Sequence, residues 1–253
     1  MIQSVDRALK ILELLKDHPQ GLGVTELANR FGVAKSTIHR LLMTLEHHQY
    51  IQQDETQGTY QLGLKFLEMN EIVVGNLDIV RIARPVLERL SEEAGEISHL
   101  VMLDQDEILY IDKVETSSTI RIYSQTGKRA PLYCTGVGKA IIAHIDHPQQ
   151  RKLVDKMDYQ PYTKHTICDR ESLLIELDKI KSQGYAEDNE EHELGIRCIA
   201  APIFDHEGRA NYAVSVTGPL TRMSDNRIEA LIPKVKEAAL QVSRKLGYHS
   251  SIS

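Results

Sequence analysis

The stretch Gly21–Asp54, GLGVTELANRFGVAKSTIHRLLMTLEHHQYIQQD, decides the fold of the first part of the chain. Its spacing predicts a short helix with Thr25 as N-cap and a second helix over about Lys35–His48. Gly32 lies between them, and a glycine can take the positive φ that ends a helix. Two short helices joined by so tight a turn form a helix-turn-helix.

The second of these helices has two distinct faces. Its apolar side chains recur at i, i+3, i+4 and i+7, which predicts that they pack inward: Ile38, Leu41, Leu42 and Leu45. Its leading end carries polar and basic side chains on the outward face. Strands are predicted over residues 50–53 and 59–62, joined by a polar turn over 54–58. A helix-turn-helix followed by such a hairpin is winged, and it places one helix in the major groove of DNA.

The distribution of charge agrees with DNA binding. The net charge is −6, but the first 65 residues are balanced and residues 29–40 contain no acid. We expect Ser36, Thr37 and Arg40 to reach base edges, and Lys35 and Arg30 to contact phosphates. The complete set of expected DNA contacts is Thr25, Arg30, Lys35, Ser36, Thr37, His39 and Arg40. The alternative is a helix-turn-helix that serves only protein contacts, with these charges solvated.

Composition bounds the rest of the chain. It has 253 residues, 42% hydrophobic and 26% charged, which suffices for two globular domains. No apolar run reaches the roughly 20 residues of a membrane span, and no signal peptide is recognisable, so we expect a cytoplasmic protein without a membrane partner. Cys134, Cys168 and Cys198 are widely spaced, which favours reduced thiols over a disulfide framework or a metal site.

Downstream of the hairpin the pattern changes twice. An amphipathic helix is predicted over 64–74, and another precedes Gly95, with Pro85 near its first turn. After Gly95 the chain reads as mixed α/β, with strands predicted over 99–103, 108–112, 120–124, 198–204 and 212–216. Further helices are predicted over 5–18, 138–144, 149–157, 172–183 and 225–246, the last broken early by Pro233. This order is typical of a small-molecule sensor domain with one central sheet.

Three segments carry a resemblance to the IclR family of bacterial transcriptional regulators. They are Lys35-Ser-Thr-Ile-His-Arg-Leu-Leu42, Thr135-Gly-Val-Gly-Lys-Ala140, and a C-terminal series of Gly184, Asp188, Glu191, Cys198-Ile199-Ala200 and Ile203-Phe204-Asp205. The resemblance implies an α+β chain: a winged helix-turn-helix over 1–65, a helical linker over 66–80, and an α/β effector-binding domain related to GAF-type sensors over 81–253. It also implies a homodimer or homotetramer that regulates transcription in response to a small molecule, with repression the expected role.

The resemblance also implies where the effector binds. The matching positions are Thr119, Ile122, Gly136, Val137, Asp188, Ile196, Cys198, Ser215 and Thr217. Backbone N–H groups at Gly136 and Val137, at a predicted helix start, suit an anion. Ser215 and Thr217 alternate on one strand face, so their hydroxyls, the Cys198 thiol and those amides can converge on one carboxylate. We therefore expect a small organic acid as the effector.

Other interpretations of these residues stay open on sequence alone. Gly136 and Gly138 would also permit tight helix–sheet packing, Cys198 is also a small apolar core residue, and Asp188 can cap a turn. An enzyme is the rival class, because the run 188–192 has carboxylates and a histidine that suit acid/base work or metal binding. No zincin His pair, Gly-x-Ser-x-Gly elbow or phosphate-binding loop accompanies it. We therefore expect a solvated loop, with no metal, no cofactor and no catalysis.

Overall fold

The computed structural model describes residues 2–54, 56–75, 78–115 and 125–249. Its contacts divide the chain into two compact units, Met1–Asn76 and Leu77–Ser253. Two expected effector contacts, Thr119 and Ile122, and the strand predicted over 120–124 lie outside the described residues. Over the residues that are described, no helix combines the length and apolar character needed to cross a bilayer.

The first unit surrounds a small antiparallel sheet with helices. Along the chain its elements are α1 (Gln3–Lys16), β1 (Leu22–Gly23), α2 (Val24–Phe31), α3 (Lys35–His47), β2 (Ile51–Gln53), β3 (Thr59–Leu62) and α4 (Lys65–Gly75). The strands are ordered β1-β3-β2. The core joins the inward faces of the first three helices to the sheet, and it includes Ile11, Leu27, Ile38, Leu42 and Ile51. The predicted inward face of α3 is confirmed at its centre, since Ile38 and Leu42 are fully buried.

The start of α2 differs from the sequence prediction. Thr25 is not the N-cap, because the helix begins at Val24 and Thr25 lies in its first turn. The strand β1 pairs with β3 as far as Gly23, so extended backbone runs directly into the helix. Gly32 ends α2 in the left-handed region, with φ of 62°, as the sequence predicts.

The second unit is a six-stranded antiparallel sheet between two helical layers. Its described elements are α5 (Asp78–Ala94), β4 (Ile97–Asp104), β5 (Glu107–Val114), β6 (Arg129–Pro131), α6 (Gly136–Ile142), α7 (His147–Val154), α8 (Arg170–Gln183), β7 (Ala186–Asn189), β8 (Ile196–Phe204), β9 (Ala210–Pro219) and α9 (Asp225–Lys245). The strand order is β6-β5-β4-β9-β8-β7. Successive strand residues serve opposite cores: Ile199 packs with α5 and α9, and Ala200 packs with α6 and α8.

Two prolines lie inside helices, contrary to the sequence predictions. Pro85 is well past the first turn of α5, and α9 continues through Pro233 to Lys245 without a break. A proline removes one backbone hydrogen bond. In both helices the following turn is buried, with Val86 and Val235 in the core. Tertiary burial therefore outweighs the local cost, as it does for most helices in proteins.

Candidate nucleic-acid interface and effector pocket

The outward face of α3 is solvent-exposed and polar at its leading end. Lys35, Ser36, His39 and Arg40 are exposed, while Thr37 is half-buried on the flank. Ser36 and Arg40 lie opposite Ile38 and its neighbours, which anchor the helix in the core, and the other expected contacts flank them. The sequence-predicted contacts of α3 therefore share one accessible side of a helix whose opposite side is fixed.

The expected contacts of α2 are also exposed, and one of them is already paired. Thr25 and Arg30 both lie on the solvent side of the helix. The Arg30 guanidinium donates to Glu26 Oε1 at 2.8 Å and lies 3.3 Å from His18 Nε2. An exposed ion pair of this kind contributes only about 0–1 kcal/mol. Arg30 can therefore exchange Glu26 for a phosphate at little cost.

The second unit brings most of the expected effector contacts to one cavity. Of the nine expected residues, those that line it are Gly136, Val137, Asp188, Ile196, Cys198 and Thr217. The cavity encloses about 60 Å³ between the start of α6 and strands of the sheet. Residues 50 and more apart in the chain thus surround one small space, as the family resemblance implies.

Ser215 is the described residue of that set that does not line the cavity. It is 1% exposed, and its hydroxyl lies 3.4 Å from His99 Nδ1. Thr217 Oγ1 lies 3.3 Å from the same nitrogen. The two hydroxyls do share one face of β9, but they meet at the imidazole of His99 on the neighbouring strand. Burial lowers the pKa of His99 to about 3, so the ring is neutral.

The start of α6 is fixed by a cap and by a close contact. Thr135 Oγ1 accepts from the Gly138 amide at 3.2 Å and donates to the Pro131 carbonyl at 2.7 Å. A Cβ on Gly138 would lie 2.5 Å from the Leu132 carbonyl oxygen, so only glycine fits. At Gly136 the restriction is milder, with Cys198 Sγ at 3.3 Å. Tight packing is therefore one demonstrated role of these glycines.

A buried charged cluster lies beside the cavity. Lys139, on α6, is 1% exposed and donates to Glu191 Oε1. Asp188 Oδ1 accepts from the Glu191 amide at 2.7 Å. Burial and then the nearby Glu191 carboxylate raise the pKa of Asp188 to about 7. Asp188 can therefore be neutral or charged near neutral pH, and it lines the cavity.

Several lining residues were not predicted from the sequence. They are His99, Tyr110, Lys128, Ala130, Thr135, His192 and Glu193. Burial, together with Lys128, lowers the pKa of His192, and burial strongly raises the pKa of the Tyr110 hydroxyl. The buried pair beside the cavity, in contrast, did have a signal in the sequence: Lys139 interrupts the apolar run Gly136–Ile142, and a lone charge in such a run indicates a buried ion pair.

The cysteines and possible metal ligands give no further site. Burial raises the pKa of Cys198 to about 12, so its thiol stays protonated. Cys134 is buried and Cys168 is exposed, and all three cysteines are free. Across the described ranges, no group of three or more His, Cys, Asp or Glu side chains could hold a metal ion.

Comparison with known proteins identifies the chain's relatives. The family model described as "IclR helix-turn-helix domain" matches residues 4–55, and that of the "Bacterial transcriptional regulator IclR C-terminal" matches residues 71–244. The HTH-type transcriptional regulator XynR of Escherichia coli (strain K12) is 38% identical over 248 residues, which cover 98% of each chain. The chain therefore belongs to the IclR family of bacterial transcriptional regulators.

Solved structures agree with this assignment. The crystal structure of Thermotoga maritima IclR has a TM-score of 0.83 and 33% identity, covering 98% of this chain and 100% of that one. An IclR homologue from Microbacterium hydrocarbonoxydans, crystallised with 4-hydroxybenzoate, has a TM-score of 0.83 at 21% identity, covering 96% and 98%, and shares the fold. The predicted α+β fold and the predicted function as a DNA-binding transcriptional regulator are confirmed.

Proposed function

We propose that this regulator is a homo-oligomeric repressor that acts in the cytoplasm. In this proposal it binds double-stranded operator DNA through α2 and α3 and binds a small carboxylate in the cavity beside Asp188. The observation that carries the effector assignment is the convergence of distant residues on one small space of about 60 Å³. The DNA contacts proposed are the exposed residues at the leading end of α3, with Thr25 and Arg30 of α2.

Lys128, Thr217 and Asp188 are the lining groups that support a carboxylate, whereas Glu193 adds a carboxylate of its own at the exposed wall. Lys128 supplies positive charge at the wall, and Thr217 supplies a hydroxyl. Asp188 would repel an anion if it were charged, but its pKa of about 7 lets it bind a proton and donate a hydrogen bond. The 4-hydroxybenzoate bound to the Microbacterium homologue is itself a small carboxylate.

The same groups support binding rather than catalysis. A nucleophilic cysteine needs a thiolate, and burial keeps the Cys198 thiol protonated. A general base needs a pKa near the working pH, and burial takes that of His99 to about 3. Asp188, with a pKa of about 7, meets that requirement, but its Oδ1 already accepts from the backbone amides of Glu191 and His192, which supports a binding role. We therefore propose that the effector leaves the cavity chemically unchanged.

A homo-oligomer is supported by exposed apolar side chains near α4. Leu64, Leu67 and Ile72 are each 66–67% exposed. Leu64 and Leu67 lie one helical turn apart. Apolar side chains so clustered on a short segment are typical of surfaces that a partner covers. Two-fold symmetry also lets helix-turn-helix readers place two reading helices on a palindromic operator.

Calorimetry on the full chain tests the effector. The ligands are small carboxylic acids, each paired with its primary amide as a control of equal shape. We expect an acid to bind and its amide to bind at least tenfold more weakly, because a hydrogen bond to a charged group contributes about 1.5–3 kcal/mol. Thr217→Val should weaken the acid about 10- to 150-fold, whereas Ser182→Ala, on the exposed side of α8, should not.

Further measurements distinguish a carboxylate-responsive regulator from a regulator of another ligand class and from an enzyme. Adding the acid should also change the affinity of the full chain for a duplex enriched from a randomised pool. Equal binding of acids and amides would refute the carboxylate assignment. Formation of a product from any ligand would place the protein among the enzymes.

A further inference from the structure

Helix α3 has a single most outward stripe, and it extends beyond the expected DNA contacts. Opposite the buried Ile38 and Leu42, the spacing i, i+4, i+7, i+11 passes through Ser36, Arg40, Met43 and His47. All four are exposed. Met43 is 57% exposed, one turn after Arg40, although it is the apolar member of a polar stripe.

Met43 is not an edge residue of the apolar core that is only partly covered. An apolar groove does run between α1 and α3, but its walls are formed by residues such as Val5, Leu9, Leu41 and Leu45. Met43 is not among the residues that line this groove, and it lies on the other side of Arg40. A single exposed methionine is ordinary on a protein surface. What distinguishes Met43 is its position on the same outward stripe as Ser36 and Arg40, where a bound DNA duplex would contact it.

The major groove offers one apolar group, the C5-methyl of thymine. An unbranched, polarisable thioether adapts to such a contact. We propose that Met43 contacts the 5-methyl group of one thymine in each half-site, and so specifies a T·A pair beyond the bases reached by Arg40. The proposal rests on the proposed role of α3 as the reading helix, and it adds a residue and a base class to that role.

The test removes the methyl group and the side chain separately. The full chain first enriches its preferred duplex from a randomised pool. Each thymine is then replaced singly by deoxyuridine, which lacks only the 5-methyl group, and affinity is measured by fluorescence anisotropy at fixed salt. We expect one replacement per half-site to weaken the wild type about fourfold, which corresponds to burial of one methyl group at about 0.8 kcal/mol.

In the variant Met43→Ala that replacement should have no further effect, while replacements elsewhere act as in the wild type. Alanine is a strong helix former and Met43 is exposed, so the variant should fold. Met43→Leu should keep the deoxyuridine effect, and Met43→Gln should lose it. The matched control is Ile175→Ala, which removes a 72% exposed apolar side chain from α8 and should behave as the wild type.

Two results would overturn the proposal. One contradicts the Met43 contact alone, and the other also contradicts the role of α3 as the reading helix. If Arg40→Ala loses the enriched duplex but Met43→Ala shows the wild-type response to every deoxyuridine, the Met43 contact is wrong and α3 still reads DNA. If Arg40→Ala binds like the wild type, α3 is not the reading helix, and both the proposed DNA contacts and the Met43 contact are wrong.

Discussion

Asp188 is buried and lines the proposed effector cavity, and its burial has a measurable effect on stability. Its pKa rises from an ordinary 3.8 to about 7 in the folded chain, through burial and the neighbouring Glu191. Between those values the folded state holds a proton that the unfolded state has lost. The free energy of unfolding therefore falls as the pH rises from about 4 to about 7, and the penalty is complete above pH 7.

Asp188→Asn should remove this penalty, since an amide has no charge to bury and still accepts the Glu191 amide. Relative to the wild type, its free energy of unfolding should gain on the order of 2 kcal/mol between pH 5 and pH 8. Urea denaturation at the two pH values measures the change. Asp106→Asn, at an exposed turn between β4 and β5, is the control. A constant difference between Asp188→Asn and the wild type would contradict the assignment.

The partner that Lys139 takes in its ion pair, Glu191, could not be predicted from the sequence. The two side chains lie 52 positions apart, and neither identifies the other. Their contact depends on where the sheet edge at β7 meets α6, which follows from long-range packing. His99 was missed for a related reason: a histidine opening an apolar strand resembles an ordinary surface-to-core boundary, and only the pairing with β9 brings it to Ser215.

At the scale of elements, local sequence signals predict some helix boundaries, and tertiary packing determines the others. The sequence predicts a helix at α6, but two residues late, because the Thr135 cap places Gly136 and Val137 inside it. The turn at Gly32 was predictable from one glycine, since its function is local. The continuity of α5 and α9 through their prolines was not, because burial on the sheet provides it.

Gly138→Ala tests the close approach at the start of α6. The added Cβ would lie 2.5 Å from the Leu132 carbonyl oxygen and 2.7 Å from Thr135 Oγ1, so backbone must move. We expect a loss of about 1–3 kcal/mol in the free energy of unfolding. Gly136→Ala is the comparison from the same turn, and its contact of 3.3 Å with Cys198 Sγ should cost less. Thermal unfolding followed by circular dichroism distinguishes them, and equal stability of the two variants would contradict the packing described.

The chain divides into two compact units, and this division lets the dependence of DNA binding on assembly be tested with a fragment. In the proposed homo-oligomer, each chain contributes one copy of α3, so that two or more copies face a palindromic site. The fragment Met1–Asn76 should then bind the enriched duplex at least tenfold more weakly than the full chain, because linked sites raise the effective concentration. Light scattering at micromolar concentration should give a dimer or tetramer for the full chain. A monomer with undiminished affinity would disprove the assembly proposed.

The packing of α6 has a mechanical consequence. Every residue of this seven-residue helix is buried, and it spans about 10 Å. Its first turn borders the effector cavity, and just past its end His144 packs edge-on against Phe204. A close-packed interior is nearly incompressible, so a push at one end of such a rod is not absorbed along its length. We therefore expect a displacement of Gly136 along the helix axis to be transmitted to His144 and to its contact with the aromatic ring of Phe204.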